Sequence, residues 1–150
     1  MYPNPEVVRF VNEHFLPVRI HVREHPELWK AVGERFGVQW TPTILVVDAS
    51  GEERHRIEGF LPVDDVLAQL QFGLARSAFG NGRFTDAEKL FLAVAEKYPN
   101  SEAAPEALYW AGVARYKASG DAAALADTAR AFRDRYQQSS WAKKASVWAK

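Results

Sequence analysis

Tyr98 and Tyr136, Trp110 and Trp148, and Gly82 and Gly120 each stand 38 positions apart. No other feature narrows the fold as much. The stretch "EKYPNSEAAPEALYW" ends at Trp110 and "DRYQQSSWAKKASVW" ends at Trp148; upstream, "GLAR" (73–76) matches "GVAR" (112–115) at a spacing of 39, so the second unit gains one residue. From about residue 65 the chain keeps helical periodicity. It is broken by turn-forming stretches at "GNG" (80–82), "YPNS" (98–101), "SGD" (119–121) and "QQSS" (137–140). A period in the thirties inside helical sequence means stacked helix–turn–helix units, each burying its apolar face on the next.

The first 64 residues follow a different pattern. Asn4 offers a cap, Pro5 suits the first helical position, and Val7, Val8, Phe10, Val11 and Phe15 recur at helical spacing until Pro17. "PVRIHV" (17–22) alternates, with Val18, Ile20 and Val22 on one face, and predicts a short strand. Residues 25–38 predict a helix with Leu28, Trp29, Val32 and Phe36 inward, closed by Gly37. "TILVVD" (43–48) is a continuous apolar run and predicts a strand buried on both faces. "DASG" is turn chemistry, "EERHRIEGF" (52–60) a polar strand, and residues 63–80 a helix through Val66, Leu67, Leu70 and Leu74.

Composition closes off several functions. Lys plus Arg and Asp plus Glu both number 19, so net charge gives no case for nucleic acid or an anionic membrane as partner. The absence of cysteine removes disulfides, thiolate catalysis and cysteine-held metals together, and it leaves the compartment open. No apolar run approaches the roughly 20 residues of a membrane span, and "MYPNPEVVRF" lacks a signal-peptide pattern. The chain is therefore assigned to the cytoplasm by default, and to the periplasm if a signal sequence lies upstream. His21 and His25 form H-x-x-x-H across a strand end and a turn, where the two rings would diverge; no metal or other cofactor is expected. Asp64 and Asp65 read as helix-start residues rather than an acid–base pair. No phosphate-binding glycine loop and no nucleophile-elbow serine is present. Trp141, Ala145 and Trp148 form a stripe at intervals of 4 and 3, which fits either a helix capping the second repeat or a docking surface for a third repeat or another chain.

Two family resemblances rest on these residues. Residues 72–137 resemble tetratricopeptide repeats. Leu74, Ala75 and Ala78 occupy the first helix, Gly82 the turn, Ala87, Phe91 and Val94 the second helix, and Pro99 closes the unit. The second unit keeps Leu108, Ala111, Gly112, Gly120 and Phe132 and departs from the pattern at Arg115, Ala129 and Gln137. The wording is similar to the repeats of bacterial Tol–Pal coordinator proteins, which implies partner binding without catalysis. Residues 1–72 resemble the thioredoxin superfamily after its redox motif. "FGVQWTPTILVVDASGEERHRIEGF" carries the helix ending in "GV", the Thr-Pro, the hydrophobic strand, the turn, the charged strand and "GF" in order. The family's first core strand and its Cys-x-x-Cys have no counterpart. The resemblance implies that Thr41 and Pro42 form a cis-proline shelf for an extended peptide, with Trp40 exposed beside it.

The sequence thus predicts an α/β part followed by an all-α part: an incomplete thioredoxin-like domain over residues 1–72 and tetratricopeptide-like hairpins with a final helix over residues 73–150. The expected role is non-catalytic protein–protein interaction, through Trp40, Thr41 and Pro42 toward a peptide and through Trp141 and Trp148 toward a partner. The alternative is a fragment or mis-started form of a thiol-disulfide oxidoreductase whose cysteines lie upstream. A homodimer is expected, because a sheet lacking that first strand leaves the apolar "TILVV" as a free edge; the alternative is a monomer in which the strand at 17–22 moves beside the strand at 43–48.

Overall fold

Helix α1 spans Pro5–His14 in the computed structural model, which describes residues 3–149. Its start is fixed locally: the Asn4 side-chain oxygen accepts from the backbone N–H groups of Glu6 and Val7, two of the donors that a helix start leaves without partners. Val7 and Val11, one turn apart, are its buried residues. Helix α2 (Pro26–Phe36) ends at Gly37 in the left-handed conformation, φ 64°, which glycine adopts without steric cost.

Between these helices the sequence-predicted strand at 17–22 does not form. Alternation gives a segment two faces, but a strand also needs a neighbour for its backbone groups, and the sheet among the described residues contains two other strands only. The end of the segment folds into a turn instead. The N–H of His25 donates to the carbonyl of His21 at 2.8 Å, and the N–H of His21 donates to Nδ1 of His25 at 3.1 Å.

The sheet pairs β1 (Thr43–Val47) antiparallel with β2 (Glu53–Glu58), Ile44 opposite Ile57 and Val46 opposite His55, with a bulge after Val46. Asp48 organises the turn. Its carboxylate accepts from the Ser50 and Glu52 N–H groups, the Ser50 hydroxyl, Arg54 Nε at 2.6 Å and Asn81 Nδ2 at 3.1 Å. The hairpin is thereby tied to the turn at Asn81. Burial of β1 on both faces is not observed: Val46 is its buried residue and Val47 is exposed. Helix α2, which flanks the sheet, has no buried residue. It is attached by polar bonds, from Arg56 to the Phe36 and Gly37 carbonyls and from Arg35 to the Gly51 carbonyl. Leu28, expected inward, is exposed, and Trp29, Val32 and Phe36 are half-buried.

Helix α3 (Val63–Gly80) is the axis of the molecule. One stripe, Val66, Leu67 and Leu70, packs with Val7, Val11 and Ile57. A second, Ala68, Phe72, Ala75 and Ala78, packs with Ala87, Phe91 and Val94 of α4 (Phe84–Lys97) and Ala103, Ala107 and Ala111 of α5 (Ala103–Ser119). The sheet comes close at Gly73, where an added Cβ would lie 2.8 Å from Val46 Cγ2. Alanine at the crossings lets the helices approach, and Phe72 and Phe91 fill the groove edge-to-face at 5.3 Å. Helix α6 (Ala123–Asp134) completes the second hairpin, and α7 (Ser140–Ala145) with a 3-10 turn (Ser146–Ala149) closes it. The two repeat units are joined by Tyr136, whose hydroxyl donates to the Pro99 carbonyl at 2.7 Å.

Candidate functional site

The loop leading into β1 brings the predicted peptide shelf to the surface. Trp40 is 68% exposed, and the Thr41–Pro42 peptide bond is cis. The carbonyls on either side of Thr41 are occupied: that of Trp40 accepts from the Thr43 hydroxyl at 2.7 Å, and that of Pro42 from the Gly59 N–H at 2.8 Å. Thr41 itself is exposed, and its N–H and C=O make no hydrogen bond among the described residues.

The Gly59–Pro42 bond also fixes the direction of every backbone group in β1. Antiparallel strands alternate bonded and non-bonded pairs. With Pro42 and Gly59 a bonded pair, the register makes Ile44–Ile57 and Val46–His55 bonded as well. Beyond the bulge the Asp48 N–H donates to the Glu52 carbonyl at 3.0 Å. Thr43, Leu45 and Val47 therefore turn their N–H and C=O groups away from β2, toward an edge that no described strand covers. Thr41 and these three residues form one row of free backbone donors and acceptors. The row ends near apolar side chains, Trp40 at one end and Val47 at the other. This arrangement can add an extended strand, main chain to main chain. It holds no thiol, since the chain has no cysteine.

The other candidate residues lie elsewhere in the fold. Nδ1 of His21 accepts from the Arg23 and Glu24 N–H groups, and Nδ1 of His25 from the His21 N–H. The pair thus staples a turn, and no group of three metal-ligating side chains gathers among the described residues. Asp64 and Asp65 lie in the first turn of α3, where no side chain caps the helix, beside a shallow cavity of about 470 Å³ bordered by Lys97, Tyr98 and Ser101. Burial, with Glu6 and Asp64 nearby, pushes the Tyr98 hydroxyl pKa up. His55 is enclosed between the sheet and α3, Nε2 at 2.6 Å from Gln69 Oε1 and its ring 5.0 Å from that of Phe72; burial lowers its pKa. Trp141 and Trp148 turn onto Tyr109 of α5, with ring centroids at 5.1 and 4.7 Å, around the buried Ala145. Their rings are half-buried in the closure of the second hairpin.

The free edge at "TILVV" is expected from the sequence, but which of its residues face outward is not. Parity along "TILVV" is visible, but which parity faces β2 depends on the register, and the Pro42–Gly59 bond sets it. No helix among the described residues is long and apolar enough to cross a membrane. Compared with known families, residues 1–74 match a thioredoxin-like domain and residues 69–101 a tetratricopeptide repeat. No curated protein and no solved structure matches the chain.

Proposed function

From the premise that a thioredoxin-like domain runs into a tetratricopeptide repeat within α3, we propose that this chain binds proteins and performs no thiol-disulfide exchange. Its two parts divide near residue 72, and the first part supplies the binding edge. An extended polypeptide lies along Thr41 and the outer side of β1, held by backbone hydrogen bonds, with Trp40 against its side chains. The observation that carries this reading is the unpaired row at Thr41, Thr43, Leu45 and Val47 in a chain without cysteine. Such a row binds without regard to most side chains, and nothing beside it can attack a disulfide.

Two measurements test the proposal. In an insulin-reduction assay with dithiothreitol, the protein should leave the rate at the no-protein control; a clear acceleration by material free of thioredoxin would reject the non-catalytic reading. In amide NMR, an unfolded carboxymethylated protein should shift Thr41, Thr43, Leu45 and Val47 and leave α6 unmoved. Shifts confined to the helical hairpins would move the binding site away from the sheet.

A further inference from the structure

The chain exposes 9301 Å², whereas a folded monomer of its 16.9 kDa exposes about 7,700 Å². The excess of roughly 1,600 Å² exceeds the ~800 Å² that one partner contributes to an interface of standard size. Its apolar part is localised. Among the described residues, all but two of the large exposed apolar side chains fall between Leu16 and Phe60, with Leu16 94% and Val18 76% exposed.

The same region holds two backbone segments without partners. One is the outer row of β1. The other is the stretch 16–20, whose backbone makes no hydrogen bond among the described residues although Val18 and Ile20 alternate as in a strand. No hydrogen bond joins the two segments within one chain. A strand-patterned segment that lacks an edge and an apolar edge that lacks a strand are complementary surfaces on one molecule.

Resting on the edge-binding reading above, we propose that the strand received by β1 is residues 16–20 of a second copy of this chain, exchanged reciprocally across a two-fold axis. A two-fold makes every contact twice, so each copy donates one segment and receives one. The outer row of β1 and the backbone groups of residues 16–20 that face it are then paired, and the exposed apolar surface around Leu16, Val18, Trp40 and Val47 is removed from water. The segment carries no acidic residue and β1 carries no charge, so no like charges are opposed across the pair.

Light scattering across micromolar dilution tests this. The expected mass is twice 16.9 kDa at high concentration, falling toward one copy on dilution. Val18→Lys and Val47→Lys place a charge on an exposed side chain at either half of the pairing. Each should raise the dissociation constant at least about tenfold while leaving the circular dichroism of the dilute protein unchanged. Lys89→Glu, on the exposed side of α4, should leave the mass unchanged. A mass of 16.9 kDa at every concentration overturns the exchange, as does a dimer indifferent to both lysine variants. A monomer whose Thr41–Val47 amides still shift with the unfolded protein leaves the edge-binding function standing and rejects only the second copy as its occupant; absent shifts in a monomer reject both.

Discussion

Gly112 has no side chain because α6 leaves no room for one: a Cβ there would sit 2.0 Å from Thr128 Oγ1. Thr128 cannot turn aside cheaply, since its hydroxyl donates to the Ala124 carbonyl at 2.8 Å inside the helix packing. Gly112→Ala should therefore force α5 and α6 apart and cost about 1–3 kcal/mol, read as a lower urea midpoint. An unchanged midpoint would mean that α6 can slide at no cost. His55 makes a second prediction at this scale. Burial is the main cause that depresses its pKa, with Arg76 adding to it and Gln69 and Glu53 opposing. Protonation is thus penalised in the folded state. The stability that His55 contributes is complete above the unfolded pKa of about 6.5 and is lost as pH falls toward its folded pKa. Thermal melts between pH 7 and pH 5 should show stability falling on the acid side, and His55→Gln should flatten that fall; an identical slope in the variant would assign the effect elsewhere. Asp48 acts in the same direction at lower pH. Hydrogen bonds from Ser50 and Arg54 hold its carboxyl far below the ordinary carboxylate range, so the stability it contributes is present above the unfolded value and is lost in acid.

At the scale of elements, α3 decides whether the molecule is one unit or two. Its stripes at Val66, Leu67 and Leu70 and at Ala68, Phe72 and Ala75 face different cores, and Leu70 is 3% exposed. Leu70→Ala should cost about 2–5 kcal/mol and lower the melting of sheet and repeats together. A loss below about 1 kcal/mol would mean that the site collapses around the missing atoms. This helix was legible in the sequence because Val66, Leu67 and Leu70 repeat at helical spacing, and the repeat units were legible because Gly82, Tyr98 and Gly120 stand at turns. The segment at 17–22 and the face of α2 were misread for a common reason. Alternation in "PVRIHV" and the spacing of Leu28, Trp29 and Val32 each state that an element has an apolar face. Neither states what covers it, and no described element buries either face fully. The outward row of β1 was hidden for the complementary reason: the direction of a backbone group leaves no mark on the side chains that the sequence records.

The whole molecule is graded in stability from its first third to its centre. Between residues 15 and 40 Val38 is the single buried side chain, and α2 is attached by arginine-to-carbonyl bonds open to water. The centre is the opposite: α3, α4 and α5 share a core in which Phe91, Ala75, Ala87 and Ala107 are fully buried. Local opening requires breaking only the contacts of the segment that opens, so its free energy follows the apolar surface that the segment holds. Amides of α2 should therefore exchange with solvent through openings of small free energy, and amides in the middle of α3 and α4 only through global unfolding. In dilute protein, hydrogen exchange followed by mass spectrometry should label residues 16–36 within the shortest pulse and residues 66–78 and 87–95 last. The proposed exchange of residues 16–20 between copies predicts that raising the concentration slows exchange at 16–20 and 43–47 and leaves α2's other contacts no tighter. Equal protection of α2 and α4 in the dilute protein would contradict this gradient, because it would require α2 to be held by burial that its side chains do not have.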